Sequence, residues 1–156
     1  MEEGRVSPQE PVSQRPARLS VELAPDLAEI SRLTGAFEAL AGELKLPPAA
    51  AFELTLVLDE LVTNVINYGG IPTGGERIRV EFRADDEALE ISISDPGKPF
   101  DPRGARQPDT DAALEDRKIG GLGVHLVRNM VDVFAYRYEH GRNLVTLLKR
   151  IDRSPA

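Results

Sequence analysis

The sequence predicts one domain that combines helices with antiparallel strands, on three observations. At 156 residues and 41% hydrophobic content the chain is long enough for a continuous core. Residues 49–68 and 124–134 repeat apolar side chains at helical spacing, whereas 18–23, 77–83 and 89–94 alternate polar with apolar residues, the period of a half-buried strand. The last two are joined by Asp85-Asp86-Glu87, which makes them an antiparallel hairpin.

In chain order, residues 1–17 carry Pro8, Pro11 and Pro16 among polar side chains with no apolar period, and are expected to form a mobile arm ahead of a domain at 18–151. After the strand Arg18-Leu19-Ser20-Val21-Glu22-Leu23, Pro25-Asp26 opens a helix that runs to about Lys45, and Pro47-Pro48 breaks the chain. The helix 49–68 carries Leu54, Leu58, Leu61, Val62, Val65 and Ile66 on one face, with Glu53, Glu60, Asn64 and Asn67 opposite and Gly69-Gly70 as its stop. Beyond the hairpin, 96–120 is rich in Pro, Gly, Asp and Arg; loops of that length in compact domains are functional or disordered, and this one reads as a lid. Gly120-Gly121-Leu122-Gly123 then enters a helix marked by Val124, Val127, Met130, Val131 and Phe134. Two strands, 135–138 and 144–148, flank the turn His140-Gly141-Arg142-Asn143.

Composition narrows the function. The absence of cysteine excludes a disulfide framework and a cysteine-ligated metal. The chain shows neither a secretory leader nor a span of roughly 20 apolar residues, so a cytoplasmic protein without membrane contact is expected. A net charge of -7 disfavours nucleic acid, since duplex binding rests on Lys and Arg neutralising phosphates, and points to a protein partner or a small ligand. Backbone amides and a metal ion can still carry a nucleotide's phosphates locally.

Three features could carry chemistry. Glu60 and Asn64, four apart on a helix, share a face and can address one site: an amide oxygen suits magnesium, and a carboxylate can take a proton from an attacking hydroxyl. A solvated polar helix face explains the pair equally well. Asp95 in Asp95-Pro96-Gly97 closes a strand, where its carboxylate could accept from an exocyclic amine such as that of adenine and Gly97 could admit a planar ring; the tripeptide is also ordinary turn chemistry. Gly120 to Gly123 could turn free amides and a helix N-terminus toward phosphates, or serve only as a hinge. Arg103, Arg106, Arg117 and Lys118 are either solvated lid charges or cations that approach a terminal phosphate when a lid closes. His125 and His140 stand without a ligand cluster, so zinc is not expected.

In this order, Glu60-Leu61-Val62-Thr63-Asn64, Asp95-Pro96-Gly97-Lys98-Pro99-Phe100-Asp101-Pro102 and Gly120-Gly121-Leu122-Gly123-Val124-His125-Leu126-Val127 resemble the three ATP boxes of the superfamily shared by type II topoisomerases, histidine kinases and mismatch-repair ATPases. The Asp-x-Gly-x-Pro-Phe-Asp form and the terminal Gly-Arg-Asn-x-x-Thr strand are similar to its small branch, the anti-sigma-factor serine/threonine kinases. The resemblance covers about 19–150. It implies a two-layer α/β (α+β) sandwich, the histidine kinase-like ATP-binding fold, in which a mixed, largely antiparallel sheet backs three helices.

The same resemblance implies ATP and magnesium as cofactors and a role for each residue. Asn64 is the magnesium ligand, Asp95 the adenine acceptor, Gly97 the close-approach glycine, Thr146 the strand threonine beside the adenine, and Glu60 the general base. Gly121 and Gly123 form the phosphate cradle, with Leu122, Val124 and Lys118 as further nucleotide contacts. Two residues depart from the branch: Ile119-Gly120 stands where a basic residue is common, displacing Lys118 and Arg117, and Lys98 is charged within the adenine box. The implied function is a kinase that binds a sigma factor or similar target and phosphorylates a serine on a small antagonist protein, with homodimerisation as a family expectation. The alternatives are a non-catalytic ATP-dependent switch and a detached histidine-kinase ATP domain.

Overall fold

The computed structural model describes residues 17–104 and 123–152. Strand β1 (Ala17–Leu23) is followed by a 3-10 turn (Leu27–Glu29), helix α1 (Ile30–Glu43) and helix α2 (Pro48–Tyr68). The hairpin β2 (Ile78–Ala84) and β3 (Ala88–Asp95) comes next, then a 3-10 turn (Pro102–Gly104), helix α3 (Gly123–Met130), and strands β4 (Val133–Glu139) and β5 (Arg142–Arg150). The expected arm therefore loses Ala17 to β1, and the rest of it lies outside the described residues, as does 105–120 of the expected lid.

Local chemistry sets the boundaries. The 3-10 turn is capped by Asp26, whose side chain accepts from the Ala28 amide, so α1 starts later than Pro25-Asp26 suggests. It ends in a Schellman motif: Lys45 adopts φ 53, its amide donates to the Gly42 carbonyl, and the Leu46 amide donates to that of Ala41. Pro48 occupies the first turn of α2, where its missing N–H costs nothing. Helix α3 stops at Met130 rather than continuing to Phe134. Asp132 pulls the chain onto the sheet, donating its amide to the Leu148 carbonyl and accepting the Arg150 amide, and the β-branched and aromatic run after it becomes β4.

The strands form one sheet in the order β1-β2-β3-β5-β4, antiparallel at every pairing. Leu89, Ile91, Ile93 and Asp95 of β3 turn inward in step with Asn143, Val145 and Leu147 of β5. Leu33, Phe37, Leu54, Leu58, Leu61 and Val62 of the helices complete the core against this face, and the Phe37 and Phe82 rings stack at 5.6 Å. Glu81, Arg83 and Glu90 hold the opposite face toward solvent. The result is the two-layer sandwich, with α2 lying over the end of β3 where the site forms.

The β4–β5 connection is tighter than the four-residue turn expected. His140 and Gly141 take φ values of 54 and 74, so a two-residue turn of the primed type closes the hairpin and releases Arg142 and Asn143 into β5.

Candidate functional site

A cavity at the carboxyl end of β3 is lined by Leu61, Asn64, Val65 and Tyr68 of α2, by Ile93 and Asp95 of β3 and by Asn143 and Val145 of β5, with Lys98, Phe100 and Pro102 at its loop side. It holds about 440 Å³, open space at its mouth included. The walls are aliphatic and aromatic, and the buried polar groups are few, as in a site for a flat apolar ring with polar edges.

Asp95 and Asn143 are 5% and 4% exposed, the buried polar residues among those described. They face each other across the β3–β5 ladder. Oδ1 of Asp95 accepts from the Gly97 amide at 2.8 Å and from Asn143 Nδ2 at 3.1 Å. Both bonds converge on Oδ1, leaving Oδ2 without a donor from the described residues. Burial raises the pKa of Asp95; the bonds from Asn143 and Gly97 and the charge of Arg142 pull the other way. A buried, half-satisfied carboxylate at the bottom of an apolar slot can take an N–H from a ligand.

Asn143 is the residue the sequence reading assigned to a turn. Its Nδ2 also donates to the carbonyls of Gly97 (3.3 Å) and Lys98 (2.8 Å), while Oδ1 accepts from the Phe100 amide (2.9 Å) and the Tyr136 hydroxyl (2.6 Å). One side chain thus fixes the whole loop 97–100 and ties it to β4. A signal was available: Asn143 falls in phase with the inward Val145 and Leu147.

Gly97 is required for a different reason from the one expected. A Cβ added there would lie 2.7 Å from the Gly69 carbonyl and 2.8 Å from Asp95 Oδ1, so the glycine is needed to admit the turn after α2, before any ligand is considered. Gly97→Ala should therefore destabilise the fold itself, by about 1–3 kcal/mol, seen as a lower thermal midpoint without any ligand present. The amide of Lys98 donates to that same Gly69 carbonyl at 3.0 Å. Its side chain passes close over Gly70, which at φ +63 has no Cβ to obstruct it.

On α2, Asn64 lines the cavity and its Nδ2 donates to Glu60 Oε1 at 3.3 Å, which leaves the amide oxygen to face a cation. Glu60 is half-buried behind it, one helical turn away. Desolvation raises its pKa above the ordinary 4.5, aided by the neighbouring Asp59 and opposed by the bond from Asn64. Among the described residues no three His, Cys, Asp or Glu side chains gather as a metal site. Magnesium here would be held by Asn64 together with phosphate oxygens and water, whose hard oxygen donors suit it.

The remaining expected residues divide. Thr146 does not line the cavity: it pairs with Ser92 and lies on the opposite face of β5 from Asn143 and Val145, which do. Arg103 is bound at the lid root, paired with Asp101 at 2.8 Å and lying 5.9 Å from the Tyr136 ring centre. Gly123 and Val124 open α3. Lys118, Gly121 and Leu122, with Arg106 and Arg117, lie outside the described residues.

This geometry has counterparts. Residues 23–149 match the histidine kinase-like ATPase domain family. The chain is 30% identical over 96 residues to the serine/threonine-protein kinase BtrW of Bordetella bronchiseptica, covering 62% of this chain and 68% of that one. It is 25% identical over 131 residues to the serine-protein kinase RsbW of Listeria monocytogenes, covering 81% and 82%. Among solved structures, the RsbU and RsbW domains of a Mycobacterium tuberculosis protein superpose with a TM-score of 0.67 at 16% identity, over 90% of this chain and 34% of that longer one. The chain thus spans about a third of that protein. The SiaB-SiaC complex of Pseudomonas aeruginosa gives 0.57 at 18% identity, over 88% and 92%. The chain belongs to the histidine kinase-like ATPase family, in the branch that these small serine/threonine-protein kinases represent.

Proposed function

We propose that this protein is an ATP-dependent serine/threonine protein kinase that works as a regulatory switch, with Asp95 receiving the adenine amine, Asn64 holding magnesium against the phosphates and Glu60 accepting the proton of the attacking serine hydroxyl. The observation that carries this reading is that one cavity is lined both by a buried carboxylate with a free oxygen on β3 and by Asn64 of α2, with Glu60 bonded to Asn64 behind it. Family membership and the kinase names of its relatives support the same assignment. In-line transfer requires little of the protein beyond positioning, charge neutralisation and a base near the hydroxyl, and these residues supply the described part of that set. Gly121 to Val124 and Lys118 complete it as the phosphate cradle.

The phosphate acceptor in this proposal is a serine on a small antagonist protein, and the regulated target is a sigma factor or a protein used in the same way. A cytoplasmic setting, a homodimer, and action without nucleic acid or membrane contact belong to the same reading. Among the described residues no helix is long and apolar enough to cross a membrane.

Calorimetric titration tests its foundation. The wild type should bind ATP tightly only with magnesium present. Even outer-shell partners of a bound metal are worth about 10- to 100-fold, so removing a direct ligand in Asn64→Ala should weaken magnesium-dependent binding by at least about 100-fold. Wild-type protein that ignores ATP in the presence of magnesium would remove the proposal. Transfer of labelled phosphate to the antagonist then separates a kinase from a switch that only holds ATP.

A further inference from the structure

Arg142 stands beside Asn143 but does not line the cavity. Successive residues of a strand point to opposite faces, so while Asn143 reaches Asp95 and its loop from the inner face, Arg142 lies on the outer one. There its guanidinium makes four hydrogen bonds. Nε donates to Ser94 Oγ at 2.7 Å, Nη2 to the Ser94 carbonyl at 3.2 Å and to the Arg77 carbonyl at 2.9 Å, and Nη1 to Glu76 Oε2 at 2.9 Å. Its side chain is three-quarters buried. Ser94 is the residue immediately before Asp95, and Arg77 immediately precedes β2.

We infer that Arg142 is a positioning residue for base recognition: with Asn143 it grips the end of β3 from both faces and thereby fixes where the Asp95 carboxylate stands in the cavity. The inference rests on Asp95 being the adenine acceptor. The geometry explains why an arginine is needed. The place demands a planar fork that spans a hydroxyl, two carbonyls and a carboxylate from two chain segments, and a lysine ammonium or an apolar side chain cannot span them. The ladders to β2 and β5 hold β3 along its length, but Asp95 is its last residue, and without Arg142 the strand end at Ser94 loses its side-chain anchor on the outer face. A carboxylate displaced by a small movement of that end loses its line to the ligand amine while staying buried.

The test compares full-length wild type with Arg142→Met and Ser94→Ala, each titrated with magnesium-ATP and magnesium-ITP, which differ in carrying a 6-amino or a 6-oxo group on the purine ring. Wild type should prefer ATP. In Arg142→Met the ATP-over-ITP preference should fall about tenfold, the worth of one well-placed hydrogen bond, with ITP affinity little changed. Ser94→Ala removes the Nε partner alone and should produce a smaller fall in the same direction. Equal weakening of both nucleotides, or an unchanged preference, would overturn the inference, because a merely structural role loosens the site for both. If Arg142→Met does not fold, an unchanged preference in Ser94→Ala overturns it. A wild type that binds ATP and ITP equally would instead refute Asp95 as the adenine acceptor, a separate failure.

Discussion

Replacing Glu60 with glutamine is expected to slow phosphoryl transfer roughly 100- to 10,000-fold while leaving ATP affinity near that of the wild type. Glutamine keeps the size of the side chain and an oxygen that can accept the Asn64 amide, so the helix and Asn64, the proposed magnesium ligand, stay in place. Only the ability to take a proton is lost. The environment of Glu60 adds a second signature. Desolvation favours its protonated form, and a protonated carboxyl cannot serve as base, so the wild-type rate should climb with pH through a value above that of an ordinary glutamate. In Glu60→Gln that limb of the profile should disappear. Single-turnover transfer from labelled ATP, measured across acid and neutral pH, checks both points. A variant as fast as the wild type would mean that the base is another group or that none is needed.

Asp95→Asn should abolish useful ATP binding without harming the fold. An asparagine oxygen in the Oδ1 position accepts the Gly97 and Asn143 bonds as the carboxylate does, so the internal network survives. The amide nitrogen then stands where Oδ2 was and sets a donor against the donor amine of adenine. Loss of a hydrogen bond to a charged group with an unpaired donor left behind is worth about 100-fold or more in affinity. Stability should move the opposite way. Because burial raises the pKa of Asp95 in the folded state, its contribution is fully present below the unfolded-state value near 3.8 and is lost as pH rises through the folded value. Asparagine never ionises, so the variant should equal the wild type in acid and be the more heat-stable of the two at neutral pH. Thermal melts at about pH 3 and pH 7, paired with calorimetry, read both effects; a variant that binds ATP normally would show that the adenine amine goes elsewhere.

Much of this architecture could be read from local pattern, and the misreadings share one cause. The hairpin β2–β3 follows from strict alternation, and Asp85 confirms its turn by accepting the Glu87 and Ala88 amides. Asp95, Asn64 and Glu60 were legible as motif residues, and the structure brings Asp95 and Asn64 to one cavity with Glu60 behind. Phe134 was read as helix because the spacing from Val127 and Met130 continues a helical face; what ends α3 is the pair of bonds from Asp132 to β5, which no local pattern reveals. Asn143 was read as turn because Gly141-Arg142-Asn143 consists of good turn formers. Its role exists only opposite Asp95, 48 residues away in sequence. The reason for Gly97 was likewise hidden, since Gly69 meets it only after α2 and β3 have packed.

The two-residue link at His140-Gly141 has a consequence for how this protein can diverge. Hairpin tips are ordinarily where chains gain and lose residues freely, yet here the count is phased to everything downstream. One additional residue taken up into β5 would shift its pairing by one and exchange its faces, sending the Arg142 guanidinium toward the apolar cavity and the Asn143 amide to solvent. Relatives that keep this site are expected to hold both the phase of β5 and tip residues that tolerate positive φ, unless a longer tip or a compensating bulge restores the register.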